Sequence, residues 1–289
     1  MSEIVWLDGQ FLPRDEARIA VDDRGFIFGD GIYEVTRCVD GRLFEGRRHL
    51  VRMHAGLEGI RIAATHLPSD AELLALHHEL LARNGLTVGQ ATVYLQITRG
   101  AAPRAHQFPA GDVRPTLFLS ATRITPAESL RATGARAVLL PDLRWARCDL
   151  KTVNLLGAVL AKQRAVEAGA QEAVLHRDGV VTEGSITNVF GVLDGVVRTH
   201  PVGTRILRGV TRDVTLELLH AMGQPVEERA LLVEELPLVS ELFYTSTTQD
   251  AMPIVLLDER VIGDGTPGPV ARRLGAAFAA ALTDPARLT

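Results

Sequence analysis

Short runs of alternating apolar and polar residues, separated by turn sequences, recur along both halves of this 289-residue chain. Four of its six Asp-Gly pairs lie between such runs, at residues 8–9, 40–41, 178–179 and 194–195. Because glycine tolerates the positive φ that a tight hairpin turn requires, each of these four pairs predicts an antiparallel hairpin. We therefore expect antiparallel strands in both halves of the chain.

Segments with apolar residues at helical spacing lie between the predicted hairpins. Ser69 followed by Glu72 is a capping-box pattern, which predicts a helix that begins there and runs through Leu81. Helical spacing also predicts helices over residues 154–168, 211–222 and 270–282. Strands and helices are intermixed without strict alternation, so the fold class is mixed α/β (α+β).

A candidate boundary follows the apolar run of residues 117–125, which leads into Pro126 and a polar stretch. This change of composition predicts two lobes. The small N-terminal lobe covers residues 1–120, a linker covers residues 121–126, and a larger C-terminal lobe covers residues 127–289.

Composition excludes several classes of protein. Lys and Arg total 31 against 35 Asp and Glu, a net charge of −4 that argues against a nucleic-acid binder. The apolar stretch of residues 270–282 is interrupted by Arg272 and Arg273 and is too short to span a bilayer. Cys38 and Cys148 make neither a disulfide framework nor a metal cluster, which favours a cytoplasmic location.

Lysine is almost absent: of the 31 basic residues, only Lys151 and Lys162 are lysines. A guanidinium keeps its proton in proteins, so arginine cannot act as a nucleophilic amine, whereas lysine can. Lys162 lies on the polar face of a predicted helix, as a solvated surface lysine does. Lys151 lies at the predicted N-terminus of that helix, where the positive potential favours the neutral amine. An aldehyde cofactor reacts with that neutral form.

A lysine that holds pyridoxal phosphate needs an acid facing the pyridine nitrogen and an anion site for the phosphate. Glu183, at the end of a predicted strand and followed by Gly184, is a candidate for the acid, although an exposed turn glutamate fits the same pattern. Residues 209–211 at a helix N-terminus and residues 246–248 after a strand suit a phosphate. Plain caps and turns have the same composition.

Other catalytic motifs are absent or weak. The sequence has no GxxxxGK[ST] loop, no HExxH motif and no GxSxG motif. A GxGxxG match at residues 263–268 contains Pro267, which lacks a backbone donor, and leaves no room for a following βαβ unit. His77 and His78 mark the edge of an amphipathic helix, and the nine histidines show no zinc spacing, so no metal site is predicted.

Several motifs occur in the order in which class IV (fold-type IV) aminotransferases carry them, and the sequence resembles that family over nearly its whole length. The motifs are DRGFIFGDGIYE at residues 23–34, TRGAAPRAHQFP at 98–109, RCDLKTVNLLGA at 147–158, TEGS at 182–185 and TSTT at 245–248. The resemblance is greatest to members that act on D-amino acids. It implies a two-lobed enzyme with pyridoxal phosphate bound between the lobes.

The resemblance also implies a role for individual residues. Lys151 would hold the cofactor as a Schiff base, and Glu183 would face the pyridine nitrogen. The phosphate would be bound by Arg52, Val210, Thr211, Ser246 and Thr247, and Leu207 would pack on the ring face opposite the reacting one. The substrate α-carboxylate would be bound by Tyr33, Arg104 and His106. In the family this arginine and histidine come from the neighbouring subunit, which implies a homodimer with a shared active site.

The Arg104-x-His106 pair implies D-amino acid substrates. Arg104 can bind a carboxylate through two parallel hydrogen bonds, with His106 and the Tyr33 hydroxyl fixing its orientation. The implied reaction is ping-pong transfer of the amino group from a D-amino acid, such as D-alanine, to a 2-oxo acid, such as 2-oxoglutarate. Lys151 would remove the α-proton as general base. The sequence does not rank D-alanine against D-glutamate or D-aspartate.

Other functions of the same fold fit part of the sequence. A branched-chain or (R)-amine transaminase would share Lys151 and Glu183 but lack the Arg104/His106 pair. An aminodeoxychorismate lyase would need no amino acceptor, and a non-enzymatic carrier of the cofactor would need no carboxylate site. One position departs from the family pattern, because Ile186 replaces a small hydroxyl residue. We expect it to alter cofactor hydrogen bonding or substrate range without loss of activity.

Overall fold

The computed structural model describes residues 3–289 and divides into two compact units. Unit 1 contains the chain up to Thr125 together with Leu150–Asn154 and Leu282–Thr289. Unit 2 contains Pro126–Asp149 and Leu155–Ala281. Two separate returns of the chain therefore complete unit 1.

Unit 1 is a six-stranded antiparallel sheet with two longer helices. Its strands are β1 (Ile4–Leu7), β2 (Gln10–Pro13), β3 (Gly31–Val39), β4 (Arg42–Leu43), β5 (Gln90–Thr98) and β6 (Thr116–Arg123), in the order β2-β1-β6-β5-β3-β4. Its helices are α1 (Arg24–Phe28), α2 (Gly46–Gly59) and α3 (Asp70–Arg83), with 3₁₀ turns at Ala64–His66 and Pro285–Arg287.

The core of unit 1 lies where α2 and α3 pack on the sheet. On α3 the buried side chains are Leu73, His77, Leu80 and Leu81, which recur at the three- and four-residue spacing of one helix face. The sheet contributes alternate residues such as Val93, Leu95 and Ile97 of β5. Burial of these side chains fixes the register of the central strands.

Unit 2 is a nine-stranded mixed sheet with helices. Its helices are α4 (Glu128–Thr133), α5 (Leu156–Glu167), α6 (Val210–Ala221) and α7 (Pro269–Ala281), with a 3₁₀ segment at Val233–Leu238. Its strands are β7 (Ala135–Pro141), β8 (Glu172–Arg177), β9 (Val180–Gly184), β10 (Asn188–Leu193), β11 (Val196–Thr199), β12 (Val226–Glu227), β13 (Glu241–Ser246), β14 (Asp250–Leu257) and β15 (Arg260–Val261). The order is β12-β11-β10-β13-β14-β7-β8-β9, with β15 paired to β14.

Helices cover different strands of the sheet in unit 2. Helices α6 and α7 pack against β13 and α7 also against β14, whereas α5 packs against β7 and β8. The larger core includes Val174, Leu242 and Ile254, and a smaller alanine-rich core lies under α5. Strand β7 is parallel to both of its neighbours, β8 and β14, while most other pairs are antiparallel.

The four predicted Asp-Gly hairpins are confirmed. They connect β1 to β2, β3 to β4, β8 to β9 and β10 to β11. The aspartates have φ of 46° to 54° and the glycines 75° to 100°. Positive φ at both central residues is the type I′ geometry, whose twist matches that of the flanking strands.

The predicted helices are present with boundaries shifted by one or two residues. The capping box of Ser69 and Glu72 is formed in both directions at the start of α3. The helix expected over residues 154–168 begins at Leu156, two residues later than predicted. Residues 263–268, which match GxGxxG, form the turn between β15 and α7 and not the loop of a βαβ unit.

The division into units differs from the predicted lobes. Strand β6 continues to Arg123, so a boundary at residue 120 would cut through a strand paired along its length with β5. Leu150–Asn154, which includes Lys151, groups with unit 1 rather than with the C-terminal part of the chain. The last residues also group with unit 1, because Leu43 exchanges backbone hydrogen bonds with Thr289.

Candidate active site

Lys151 lies in a short segment that is hydrogen-bonded to β3 within unit 1. The Tyr33 N–H donates to the Lys151 carbonyl at 3.0 Å, and the Val153 N–H donates to the Gly31 carbonyl at 3.0 Å. Helix α5 begins only at Leu156. The expectation that a helix N-terminus acts on Lys151 is therefore wrong, because that potential fades within the first helical turn. Pairing with a strand fixes the lysine instead.

The amine of Lys151 lies against the ring of Tyr33, with 4.0 Å between Nζ and the ring centroid. The Tyr33 ring stacks on Tyr94 of β5, at a centroid distance of 5.7 Å. Burial, together with Tyr33, raises the pKa of Tyr94 to about 12, so that phenol stays protonated. The structure thus brings together Lys151 and Tyr33, two residues of the predicted site, and adds Tyr94, which no sequence signal indicated.

Lys162, the other lysine, is tied into unit 2. Its Nζ donates to the Gln171 carbonyl and lies 3.6 Å from the Glu172 carboxylate. It was expected to be a solvated surface residue, and it instead links α5 to the start of β8. The amine of Lys162 is therefore engaged by neighbouring residues of unit 2, and Lys162 serves as a matched comparison for Lys151.

Arg52 belongs to a buried cluster with Glu34 and His49. Its Nε and Nη2 donate to the two Glu34 carboxylate oxygens at 2.7 Å each, and His49 Nδ1 lies 2.8 Å from the same carboxylate. Burial alone would raise the pKa of Glu34, but the charge of Arg52 and the hydrogen bonds from Arg52 and His49 outweigh it and lower that pKa well below its usual range. Glu34 is thus an ionised partner that orients Arg52.

His49 is neutral in this cluster. Burial lowers the pKa of His49, and the charges of Arg52 and Lys151 act in the same direction, while Glu34 opposes them. A carboxylate can only accept a hydrogen bond, so Nδ1 of the neutral ring carries the proton and donates it to Glu34. No sequence pattern singles out Glu34 or His49. Glu34 lies on β3, whereas His49 and Arg52 lie on α2, so their contact forms only when the helix packs on the sheet.

Arg104 and His106 lie in the exposed loop between β5 and β6, and one aromatic ring brings them together. The guanidinium carbon of Arg104 lies 5.5 Å from the ring centroid of Phe28, and the His106 ring centroid lies 5.5 Å from the same point. Both side chains are exposed. Among the described residues, no hydrogen bond, ion pair or ring contact joins either of them to Tyr33.

Glu183 is buried at the end of β9, with 4% of its surface exposed. This excludes the alternative of an exposed turn glutamate. Its carboxylate accepts hydrogen bonds from Arg144 Nη1, from Asn188 Nδ2 at 2.9 Å and from the Leu207 N–H at 3.0 Å. Burial raises the pKa of Glu183 to about 7, against the opposing effects of Arg144 and the Leu207 N–H.

Arg144 is shared between Glu183 and Asp142. Its Nε and Nη2 donate to the two oxygens of Asp142, each at 2.9 Å. Asp142 also accepts from Thr182 Oγ1 at 3.0 Å and lies 3.4 Å from Arg177. Sequence reasoning missed Arg144 and Asp142, because a charged pair after a strand has no signature that separates it from a surface pair.

The start of α6 is connected to Glu183 through Asn188. Besides donating to Glu183, Asn188 Nδ2 donates to the Leu207 carbonyl at 2.9 Å. A Cβ on Gly209 would lie 2.2 Å from Asn188 Oδ1, so this position has room only for glycine. Gly209 is the N-cap of α6 without a capping side chain, so the first N–H groups of the helix lack helical partners.

These contacts fit a cofactor that carries both a pyridine nitrogen and a phosphate. Val210, which begins α6, lies three positions after Leu207, which contacts Glu183, and such a segment spans at most about 10 Å. Val210 and Thr211 are buried at the helix start, and Ser246 and Thr247 are partly buried at the end of β13. A buried acid and an uncapped helix N-terminus within one small region suit pyridoxal phosphate.

Two orphaned hydroxyls beside this region support the fit. Thr187 Oγ1 and Thr245 Oγ1 are buried and have no hydrogen-bond partner among the described residues. Thr187 precedes Asn188 in the chain, and Thr245 pairs with Asn188 across the β10–β13 ladder. Buried polar atoms are rarely left unpaired, so a polar ligand at this position would satisfy them.

The described residues contain no cluster of three or more His, Cys, Asp or Glu side chains placed to hold a metal ion. His77 is buried on α3, where Nδ1 bonds the Leu73 carbonyl and burial lowers its pKa to about 4. Over residues 3–289, no helix is both long and apolar enough to cross a membrane. Cys38 and Cys148 are unpaired.

Comparison with known proteins gives the family. The model of the family described as amino-transferase class IV matches residues 31–257. A D-alanine aminotransferase of Bacillus licheniformis is 41% identical over 274 residues, covering 95% of each chain. A D-alanine aminotransferase of Staphylococcus haemolyticus is 39% identical over 274 residues, covering 95% of this chain and 96% of its own.

Solved structures give the same result for the fold. The branched-chain amino acid aminotransferase of Escherichia coli superposes with a TM-score of 0.91 at 25% identity, covering 100% of this chain and 99% of its own. The T.th. branched-chain amino acid aminotransferase, solved with pyridoxamine 5′-phosphate, superposes with a TM-score of 0.89 at 28% identity. The match covers 100% of this chain and 98% of its own. The chain belongs to the class IV aminotransferases, enzymes that depend on pyridoxal phosphate.

Proposed function

We propose that this enzyme is a D-amino-acid transaminase, which moves the amino group of a D-amino acid such as D-alanine to a 2-oxo acid such as 2-oxoglutarate. The observation that carries the proposal is the Arg104/His106 pair, held on the Phe28 ring in an exposed loop. A guanidinium beside an imidazole suits a carboxylate, which every amino acid substrate carries. The relatives named D-alanine aminotransferase support the same substrate class.

Lys151 is proposed as the residue that bonds the cofactor covalently. When bound, pyridoxal phosphate supplies an aldehyde that combines with amines and a ring that accepts electrons. Lys151 Nζ would hold the cofactor and would take the proton from the substrate α-carbon. Its position against Tyr33 supports this role, and the engagement of Lys162 by Gln171 and Glu172 argues against the other lysine.

Unit 2 residues are proposed to hold the ring and the phosphate. Glu183 would hold a proton at the pyridine nitrogen, because its carboxylate is buried and fixed by three donors. Leu207 would pack on one face of the ring. We assign the phosphate to Val210 and Thr211 at the start of α6 and to Ser246 and Thr247 after β13.

Tyr33, Arg104 and His106 are proposed to bind the α-carboxylate, with the arginine and histidine supplied by the neighbouring subunit of a homodimer. Within the described part of one chain, no hydrogen bond, ion pair or ring contact joins Tyr33 to the pair, which supports a site shared between two subunits. The two unpaired cysteines support a cytoplasmic location.

The covalent assignment is tested by comparing Lys151→Ala with Lys162→Ala. Lys151→Ala should abolish turnover of D-alanine with 2-oxoglutarate, whereas Lys162→Ala should retain it. Near-normal turnover in Lys151→Ala would contradict the proposal.

A second candidate function, branched-chain aminotransferase, is favoured by the solved structures that superpose on the whole chain. Assays of D-alanine and of L-leucine, each with 2-oxoglutarate, separate the two. We expect turnover with D-alanine. Turnover with L-leucine alone would favour the second candidate, and product formation that needs no 2-oxo acid would indicate a lyase.

A further inference from the structure

Arg24 is a buried arginine at the start of α1 that has no part in the roles assigned so far. It is 3% exposed. Its Nε donates to Asp30 at 2.9 Å, and its Nη1 donates to the carbonyl of Ala105 at 2.7 Å. Ala105 is the residue between Arg104 and His106. A buried guanidinium therefore holds the backbone at the centre of the proposed carboxylate-binding pair.

Phe28, at the other end of α1, holds the side chains of the same pair. Its ring centroid lies 5.5 Å from the Arg104 guanidinium carbon, 5.5 Å from the His106 ring centroid and 4.7 Å from the Arg24 guanidinium carbon. Cations within about 6 Å of an aromatic centroid are attracted to the ring. One ring thus restricts both side chains, while Arg24 restricts the backbone between them.

Asp30 keeps Arg24 in place. Its carboxylate accepts from Arg24 Nε and from Arg99 Nε and Nη2, at 2.8 to 2.9 Å. Burial opposes ionisation, but the two arginines outweigh it and lower the pKa of Asp30. The carboxylate is therefore charged at neutral pH. Arg99 also lies on the ring of Phe108, 3.7 Å from its centroid, which fixes the loop two residues beyond His106.

Asp23 fixes both ends of the loop. Its Oδ2 accepts a hydrogen bond from Oγ1 of Thr98, the last residue of β5, at 2.9 Å. The same oxygen accepts a hydrogen bond from Oγ1 of Thr116, the first residue of β6, at 2.7 Å. Its Oδ1 accepts from the Gly25 N–H at 2.8 Å and so caps α1. Helix α1 and its cap, Asp23, thus connect both ends of the β5–β6 loop to Arg24, which holds the middle of that loop.

We propose that Arg24 is a positioning residue for substrate binding, which presents Arg104 and His106 in one fixed geometry through the Ala105 carbonyl, with Phe28 holding the two side chains. The inference rests on the proposed function, because it assumes that the pair binds the substrate α-carboxylate. A binding group that is already ordered loses less conformational entropy when the ligand arrives. Loss of Arg24 should therefore weaken substrate binding without changing the chemistry at Lys151.

The test uses the holoenzyme and single-turnover absorbance with D-alanine over a range of concentrations. Arg24→Met should raise the half-saturating D-alanine concentration about 10- to 100-fold, as expected for loss of charged hydrogen bonds, with little change in the limiting rate. Arg24→Lys should recover part of the loss. The matched control is Arg83→Met, because Arg83 also lies on a phenylalanine ring, that of Phe11, but donates its hydrogen bond to Glu79 on its own helix.

Binding of propionate, measured by calorimetry on the same holoenzymes, gives a readout without turnover. Propionate carries the carboxylate and no amine, so its dissociation constant should rise by a similar factor in Arg24→Met. If that variant does not fold, Phe28→Leu tests the same point and should shift both quantities in the same direction by a smaller factor.

Two outcomes overturn the inference while leaving the proposed function intact. One is an Arg24→Met enzyme with unchanged half-saturation and propionate binding. The other is a variant whose limiting rate falls while its propionate binding is unchanged, which would mean a general structural defect. A wild-type enzyme that reacts with none of D-alanine, D-glutamate and D-aspartate would overturn the proposed function itself, and this inference with it.

Discussion

Glu34 in unit 1 and Glu183 in unit 2 are both buried carboxylates paired with an arginine, yet their pKa values shift in opposite directions. Burial raises the pKa of each. Around Glu34 the charge of Arg52 and the hydrogen bonds from Arg52 and His49 prevail, and the pKa is lowered. Around Glu183 burial prevails, and the pKa is raised to about 7.

The difference lies in how each guanidinium is shared. Arg52 gives two hydrogen bonds to Glu34, one to each oxygen. Arg144 gives one contact to Glu183 and two to Asp142, whose negative charge further disfavours ionisation of Glu183. Of these two carboxylates, Glu34 receives two hydrogen bonds from its arginine and has the lowered pKa, whereas Glu183 receives a single contact and has the raised pKa.

The two settings suit the two proposed roles. A permanently ionised Glu34 holds the side chain of Arg52 in a fixed orientation. A Glu183 that titrates near neutrality can share a proton with a pyridine nitrogen, and a positive charge on that nitrogen would favour the ionised carboxylate. Substitution of Arg144, Glu34 or Glu183 removes one part of this contrast at a time.

Arg144→Met should have the largest effect, because it removes the guanidinium that Asp142 and Glu183 share and leaves the buried Glu183 without one. We expect the cofactor-free enzyme to lose about 3–5 kcal/mol of unfolding free energy at pH 8, the usual cost of breaking a buried ion pair. Urea denaturation measures this loss. The control is Arg147→Met, since Arg147 pairs with Asp149 near the surface and its loss should change stability little. Equal effects of the two variants would contradict the shared role of Arg144.

Glu34→Gln should cost about 3 kcal/mol at pH 7, because Arg52 and His49 lose their carboxylate. Since the folded-state pKa of Glu34 is lowered, its stabilisation is complete above the unfolded value of about 4.5 and is lost as pH falls below it. The stability difference between wild type and variant should therefore shrink below pH 4.5. Urea denaturation at several pH values measures it, with the exposed Glu79→Gln as control. A pH-independent difference would argue against an ionised Glu34.

Glu183→Gln should give the opposite pH dependence. Because the folded-state pKa is raised from 4.5 to about 7, the folded enzyme holds the proton that the unfolded chain has released. Wild-type stability relative to the variant should therefore fall by about 3 kcal/mol as pH rises from about 4.5 to 7, and stay level above that. Denaturation of the cofactor-free proteins tests this. A difference that grows with pH would mean that Arg144 prevails over burial.

The features that could be predicted from the sequence are those formed by residues close together along the chain. The Asp-Gly turns and the capping box of Ser69 and Glu72 are complete within four residues, so their chemistry is readable from the chain alone. Lys151 was chosen because lysine is rare here and because its surroundings resemble those of a known family. Its real position, however, comes from β3, which lies more than a hundred residues away in sequence.

Contacts that are distant in sequence were the ones missed. Arg144 meets Glu183 across 39 positions, and Arg24 meets Ala105 across 81. Neither arginine differs from the other 27 by any local pattern, because a surface arginine and a buried one share the same residue type and similar neighbours. Only the packing of strands and loops decides which guanidinium is buried and which carboxylate receives it.

Ile186→Ser should have the smallest effect on stability and tests the surroundings of Glu183 rather than its charge. Ile186 is 62% exposed in the turn after β9, where the Gly184 N–H donates to the Thr187 carbonyl at 2.7 Å. An exposed substitution of this kind changes stability by about 0.5 kcal/mol or less. The added hydroxyl should nevertheless alter the absorbance titration of pyridoxal phosphate or the relative rates with different D-amino acids. Val261→Ser, at another exposed aliphatic position, is the control. An unchanged spectrum together with an unchanged substrate profile would show that Glu183 and its donors define this side of the site without any contribution from position 186.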